Sequence, residues 1–266
     1  MNTDHALRWK ERRGLYVPAR ETIVAAHYEV APVSEREAKL FVEQHHYSGS
    51  MPAARFCFGL YWGPLLVGVA VFSYPMNDRV LTSVLPGTAV ESVELGRLVL
   101  LDLVPGNGES FFVARCFDLL RKKGLVGVVS FSDPVKRTTA RGEVIFRGHA
   151  GNCYQALNAV FLGRGTARTL RLLPDGSVFS ARAAQKVRAG ERGADYAAKQ
   201  LVAAGAPPID LERVSEEQRR AWLRAAVRAV TRPLPHLGNL KYAWTLQKRD
   251  RRYLPASLPY PKIDFL

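Results

Sequence analysis

His45-His46-Tyr47 places two imidazoles beside a phenol. His46 could serve as a general base or a metal ligand, and Tyr47 could donate a proton or stack on a base. The plain alternative is one buried, hydrogen-bonded histidine next to an exposed one. Asp133 closes the run Ser130-Phe131-Ser132-Asp133, directly after an apolar stretch. In open α/β sheets the carboxyl ends of strands face the ligand crevice, so a carboxylate there suits proton transfer or metal binding. An Asp before Pro134 equally suits a turn or a helix cap. Tyr154, in Asn152-Cys153-Tyr154-Gln155, carries a phenol that could protonate a departing thiolate, or it is an ordinary core tyrosine. Arg97 interrupts an apolar stretch, where a guanidinium calls for an anionic partner. Glu94 lies three residues earlier, on the opposite face of a regular strand, so Asp133 or a phosphate is the expected partner of Arg97.

A further candidate is the turn Pro105-Gly106-Asn107-Gly108-Glu109-Ser110. Small residues between a strand and a helix let backbone N–H groups approach a phosphate, and the helix N-terminus adds partial positive charge. The Ser110 hydroxyl could join them. The turn is neither a P-loop nor a GxGxxG, and a tight strand–helix connection is the competing explanation.

The elements that must hold these residues read as α/β from about Tyr28 to Gly163. HYEVAPV predicts a strand, and Ser34 with Glu37 predicts a capped helix over 34–46. FCFGLYWGPLLVGVAVFSY predicts a hairpin around Trp62-Gly63-Pro64. VELGRLVLLDLV predicts a strand, SFFVARCFDLLRKKG a helix ending at Gly124, and LVGVVSFSD a buried central strand. GNCYQALNAVFLG predicts a short helix running into a strand. Beyond it, a hairpin is expected around Pro174-Asp175-Gly176, helices near 180–187, 193–204 and 215–230, and an extended Pro-rich tail. The expected organisation is a basic arm (1–26), a catalytic domain (27–166) and a basic C-terminal extension (167–266).

The 266 residues carry 38 Lys and Arg against 24 Asp and Glu, a net charge of +14, with a pI of about 10.0. Up to Gly163 the cations number 18 against 15 acids; after it they number 20 against 9. So concentrated an excess favours a polyanionic partner. Three cysteines without CxxC spacing exclude a disulfide scaffold and fit a reducing compartment. The N-terminus lacks the apolar run of a signal peptide, and the apolar stretches are broken before the length of a membrane span. A soluble intracellular protein is expected.

The order strand, helix, hairpin, strand, Gly-rich turn, helix, strand, helix, strand resembles the GNAT acyltransferase superfamily, with Leu103 where its turn pattern usually has Arg or Gln. The segments HHYSGSMP, FCFGLYWGPLLVGVAVF, VELGRLVLLD, ES, VSFSD and GNCYQALNAVFLG, with the terminal SLPYPK, resemble more narrowly the bacteriophage Mom family. The resemblance covers about Phe41–Gly163 well and the rest loosely. It implies an α/β (α+β) fold with a GNAT-like mixed central sheet, flanking helices and a basic, partly helical extension. It implies an enzyme of the host cytoplasm that uses acetyl-CoA to convert adenine in double-stranded DNA to an N6-carbamoylmethyl form and so protects the DNA from restriction. Carried over, the family's site becomes His46, Tyr47, Arg97, Ser110, Asp133 and Tyr154. A family link to iron would put a metal at His46, Tyr47 and Asp133. Analogy with the acyltransferases places the thioester carbonyl on backbone N–H groups of Leu98, Val99 and Leu100, and pyrophosphate on Gly106, Asn107, Gly108 and Ser110. Two departures stand out: Pro134–Asn152 is longer than the family's segment, leaving His149 unaligned, and 180–230 has no assigned role. Two rivals are an acetyltransferase acting on another base, a small amine or a protein, and a non-catalytic DNA-binding protein on the same fold. The oligomeric state is open.

Overall fold

The structure is a computed structural model and describes residues 5–19, 21–263 and 265; residues 1–4 and 20 of the expected arm lie outside them. The chain divides into two compact units. The first comprises residues 1–135, 146–166 and 238–266, and the second residues 136–145 and 167–237. Residues 238–266, expected within the extension, thus fall in the first unit.

The basic arm contains a hairpin of β1 (His5–Lys10) and β2 (Arg13–Pro18). Then follow β3 (Tyr28–Pro32) and α1 (Glu35–His45). The α1 N-terminus is capped as expected: the Ser34 hydroxyl accepts from the Glu37 N–H, and α1 buries Ala38, Phe41 and Val42. The predicted hairpin is β4 (Ala54–Trp62) and β5 (Leu65–Ser73). A short α2 (Arg79–Thr82) lies in the turn-rich stretch before β6 (Ser92–Leu100). Next come α3 (Gly108–Lys122), β7 (Gly127–Ser132), and the short β8 (Arg137–Thr138) and β9 (Val144–Phe146). The α4 helix (Asn152–Ala156) runs into β10 (Val160–Arg164).

In the second unit, β11 (Arg168–Leu172) is followed by α5 (Ala181–Ala189), α6 (Ala194–Ala203), α7 (Glu216–Val230) and β12 (Arg232–His236). The three helices close on Phe179, Val187, Leu201, Leu211 and Leu223. The hairpin expected at 174–176 is only a tight turn: β11 pairs along its length with β12, and a single bridge, Leu172 to Val178, spans the turn. The local turn signal was real, but the distant strand supplied the better ladder.

β13 (Leu240–Thr245) returns to the first unit. Its seven-stranded sheet has the order β10-β13-β7-β6-β5-β4-β3, with only the β6–β7 pair parallel. This is the expected mixed central sheet with flanking helices. Helix α3 packs Phe112, Val113 and Leu120 onto one face with Phe58, Phe72 and Trp244; Leu81, Leu85, Val129 and Ala243 pack together in a separate cluster.

Two irregularities of β6 shape the site. Val71 pairs with Arg97 and Phe72 with Leu95, so Gly96 is an extra residue, a bulge. A Cβ on Gly96 would sit 2.6 Å from the Ser73 hydroxyl, which is why glycine fits there. Further along, β6 and β7 pair only from Ser92–Gly127 to Leu95–Ser130. β6 then follows β5 to Leu100, while β7 follows β13 to Ser132, so the two parallel strands part.

Candidate functional site

The fork between β6 and β7 opens into a cavity of about 830 Å³, lined from β1, β6, the start of α3, the end of β7 and α4. Its apex is pinned by the Ser130 hydroxyl, which donates to the Leu95 carbonyl at 2.9 Å. Helix α4 presents the phenol of Tyr154 from a buried position, with Ser130 among the groups that act on it. Burial pushes the Tyr154 phenol well up, with the Cys153 thiol adding to the rise. It therefore keeps its proton and can only donate it.

The open edge of β6 supplies backbone groups. The Leu101 N–H donates to the Val67 carbonyl, so by strand alternation Val99 and Arg97 also direct their backbone groups to β5. Leu98 and Leu100 direct theirs into the fork. Of the three residues expected to hold a carbonyl there, Val99 does not, and it is fully buried.

The bulge overturns the expectation that Glu94 and Arg97 face apart. One extra residue changes the parity of the strand, and both side chains line the cavity. Burial raises the Glu94 carboxyl above its usual range, with Arg97 and Lys241 pulling it back in part. Sequence alternation alone missed Glu94; the glycine within a strand was the available signal. Arg97 reaches the loop after His46-Tyr47: its Nε donates to the Ser50 carbonyl at 3.0 Å and its Nη2 to the Ser50 hydroxyl at 3.1 Å. It thereby ties that loop to β6.

Asp133 is buried at the end of β7, faces the cavity, and accepts from the Val135 N–H at 2.9 Å. His149 shares the cavity; its backbone N–H donates to the Asp133 backbone carbonyl at 2.8 Å. Burial lowers the His149 imidazole to about 4, against the pull of the Asp133 charge, so it is neutral near pH 7. Gln155 also lines the cavity: its Nε2 donates to the Ala150 carbonyl and the Tyr242 hydroxyl, while its Oε1 has no hydrogen-bond partner.

His46 and Tyr47 form part of an aromatic wall. The His46 ring lies 4.6 Å from Trp9 and 4.4 Å from Tyr47, and Tyr47 stacks on Phe146 at 4.3 Å. His46 Nδ1 is engaged with the Ser48 hydroxyl at 2.8 Å. Among the described residues no group of three or more His, Cys, Asp or Glu side chains could hold a metal ion. The iron expected at His46, Tyr47 and Asp133 gains no support from such a group; the His46 ring lies against Trp9 and Tyr47, with Nδ1 engaged.

The Gly-rich turn lines the cavity through Gly106, Asn107 and Ser110. It is also a joint with the N-terminal segment. Arg8, fully buried, donates to the carbonyls of Leu7, Val104 and Pro105 and forms a 2.5 Å ion pair with Glu109 in the first turn of α3. Asn107 Oδ1 accepts from the Ile23 N–H at 2.7 Å, and the Ser110 hydroxyl donates to the Asn107 carbonyl. Gly108 sits against Val104, where a Cβ would come within 2.4 Å, so that glycine serves packing at the helix start. Among the described residues no helix is long and apolar enough to cross a membrane.

The sequence model described as the Mom protein family matches residues 27–262. No curated protein matches the chain. Two similar solved structures are acetyltransferase-fold proteins. The ribosomal-protein-S18-alanine N-acetyltransferase from Escherichia coli is 14% identical with a TM-score of 0.34, covering 57% of this chain and 88% of its own. A tandem GNAT protein from the clavulanic acid biosynthesis pathway is 12% identical with a TM-score of 0.34, covering 76% of this chain and 65% of its own.

Proposed function

This chain belongs to the Mom protein family, and on that premise we propose that it modifies the N6 amine of adenine in double-stranded DNA, using acetyl-CoA, to an N6-carbamoylmethyl or related N6-acyl derivative that shields the DNA from restriction. The observation that carries this is the forked pair of strands, with the Tyr154 phenol and the carboxylates of Glu94 and Asp133 among the groups that line the cavity it opens.

The residues present fit a thioester. Leu98 and Leu100 direct backbone N–H groups into the fork, where they can donate to a carbonyl that gains negative charge. Asn107 and Ser110 line the cavity at the start of α3, placed for the carrier's phosphates. Acetyl-CoA, when bound, supplies an activated acetyl group, and attack of N6 on its carbonyl with loss of the thiolate gives an N6-acetyl amine; a carbamoylmethyl product, joined through its methylene carbon, needs a nitrogen donor and a two-electron oxidant besides. Tyr154, protonated by virtue of its burial, donates to the departing thiolate.

The adenine amine is a weak nucleophile because its lone pair is delocalised into the ring, so it needs a base and a dry, oriented site. Glu94 is the better-placed acceptor, since a raised carboxyl pKa moves its basicity toward neutrality. Asp133 and neutral His149 orient the amine. A base inside a duplex must leave the stack to reach such a cavity, and the Trp9–His46–Tyr47 wall offers aromatic faces beside it. Arg97 is a positioning residue that holds the His46-Tyr47 loop through Ser50.

The test is mass spectrometry of nucleosides from DNA co-expressed with the protein. A mass increase on deoxyadenosine, lost in Tyr154→Phe and Glu94→Gln, is expected. An increase on another base would assign a different target, and unchanged nucleosides with acetylation of a free amine would replace the DNA substrate.

A further inference from the structure

The second unit contains 16 Lys and Arg against 8 Asp and Glu, and its charge is ordered most clearly on α7. Both acids of that helix, Glu216 and Glu217, lie in its first turn. The remaining turns carry cations only. Leu223 and Ala226 face the unit's core, with Trp222, Val227 and Val230 partly buried against it. Arg220, Arg224 and Arg228 recur at every fourth residue on the exposed side. Four residues rise about 6 Å along a helix, so the three guanidinium groups form one row about 12 Å long. Arg220 pairs with Glu216 at 2.5 Å, whereas Arg224 and Arg228 have no carboxylate partner among the described residues. Beside the row runs a second exposed line, Ala221, Ala225 and Ala229, with nothing to hold a large partner away from the helix.

We propose that this face of α7 docks on the sugar–phosphate backbone of duplex DNA, with Arg220, Arg224 and Arg228 on successive phosphates and the alanine line allowing close approach. A mid-helix arginine such as Arg224 gains nothing from the helix dipole, whose effect is confined to the end turns, and a bare row of like charges costs repulsion on the free protein. A phosphate backbone, with one charge per ~3.4 Å of axis on each strand, relieves that repulsion along its whole length. The alanine line offers no donor or acceptor to read base edges, so the docking is independent of sequence and positions the duplex. This inference deepens the proposed DNA modification by naming a surface that holds the substrate.

The experiment measures duplex affinity of the full-length protein against salt, for wild type, for R220A/R224A/R228A, and for the charge-matched control R36A/K39A/R115A on exposed positions of α1 and α3. The α7 variant should bind at least about tenfold more weakly at low salt, and its log K against log salt should be shallower by about 3. The control should change that slope by less than about 1. A parallel triple Gln variant guards against misfolding, with circular dichroism as the check. Equal effects from the α7 and control variants, or an unaltered slope in the α7 variants, would overturn the proposal. Tighter binding of single-stranded RNA than of duplex through the same arginines would replace the partner. Nucleoside mass spectrometry separates the two ideas. Duplex binding through α7 without modified adenine sinks the modification alone. Modified adenine with an unaltered α7 slope sinks the docking face alone.

Discussion

The Ser130 hydroxyl and the Leu95 carbonyl, 2.9 Å apart, form the last link between β6 and β7 before the strands part. Ser130 is fully buried, so its deletion leaves a carbonyl unpaired in the interior. Ser130→Ala should cost about 1–3 kcal/mol, measured by urea unfolding, and should weaken acetyl-CoA binding in titration. Unchanged stability and binding would show that the fork holds without this link.

Arg8 and Glu109 join the N-terminal hairpin to α3. Burial pushes the Glu109 carboxyl up, and Arg8 is the largest influence opposing it. Arg8→Met or Glu109→Gln alone should destabilise by about 3–5 kcal/mol, because each strands a buried partner, while the double variant should recover much of the loss. A double-mutant cycle in thermal unfolding reads this; additive losses would mean the pair is not coupled.

His149 makes stability depend on pH. Folded, its imidazole binds no proton until about pH 4; unfolded, it does so from about 6.5. Between those values the unfolded chain holds the extra proton, so stability falls as pH drops, by up to roughly 3 kcal/mol. His149→Gln should flatten that part of the profile between pH 6.5 and 4. An identical profile in the variant would place the imidazole in contact with water.

Glu94→Gln should lower the rate of adenine modification by about 10²–10⁴ while leaving acetyl-CoA affinity within a few-fold. Because its carboxyl is raised, the wild-type rate should climb with pH through a midpoint above that of an ordinary glutamate, and this limb should vanish in the variant. A retained limb would assign the proton to Asp133.

Much of this was legible beforehand. Periodicity placed α1, the β4–β5 hairpin, α3 and the central strand β7, because each is specified by local alternation and by caps such as Ser34. The candidates His46, Tyr47, Arg97, Asp133 and Tyr154 came from their residue types and positions and then from the family resemblance, and all five line one cavity. Glu94 escaped because alternation assumes an unbroken strand, and Gly96 breaks it. The tie of Arg97 to the Ser50 loop escaped because a guanidinium bonds a carbonyl and a hydroxyl as well as an anion. The pairing of β11 with β12 escaped because more than fifty residues separate them, and no local signal records such a partner.

The placing of β13 between β10 and β7 has a consequence for synthesis. The wall of the cleft up to Ser132 rests on a strand at residues 240–245, more than seventy residues after β10. A ribosome will have extruded the whole arginine-bearing lobe before that slot can be filled. Until then the nascent protein exposes two bare ladder edges, and a prematurely terminated product would keep them open to aggregation.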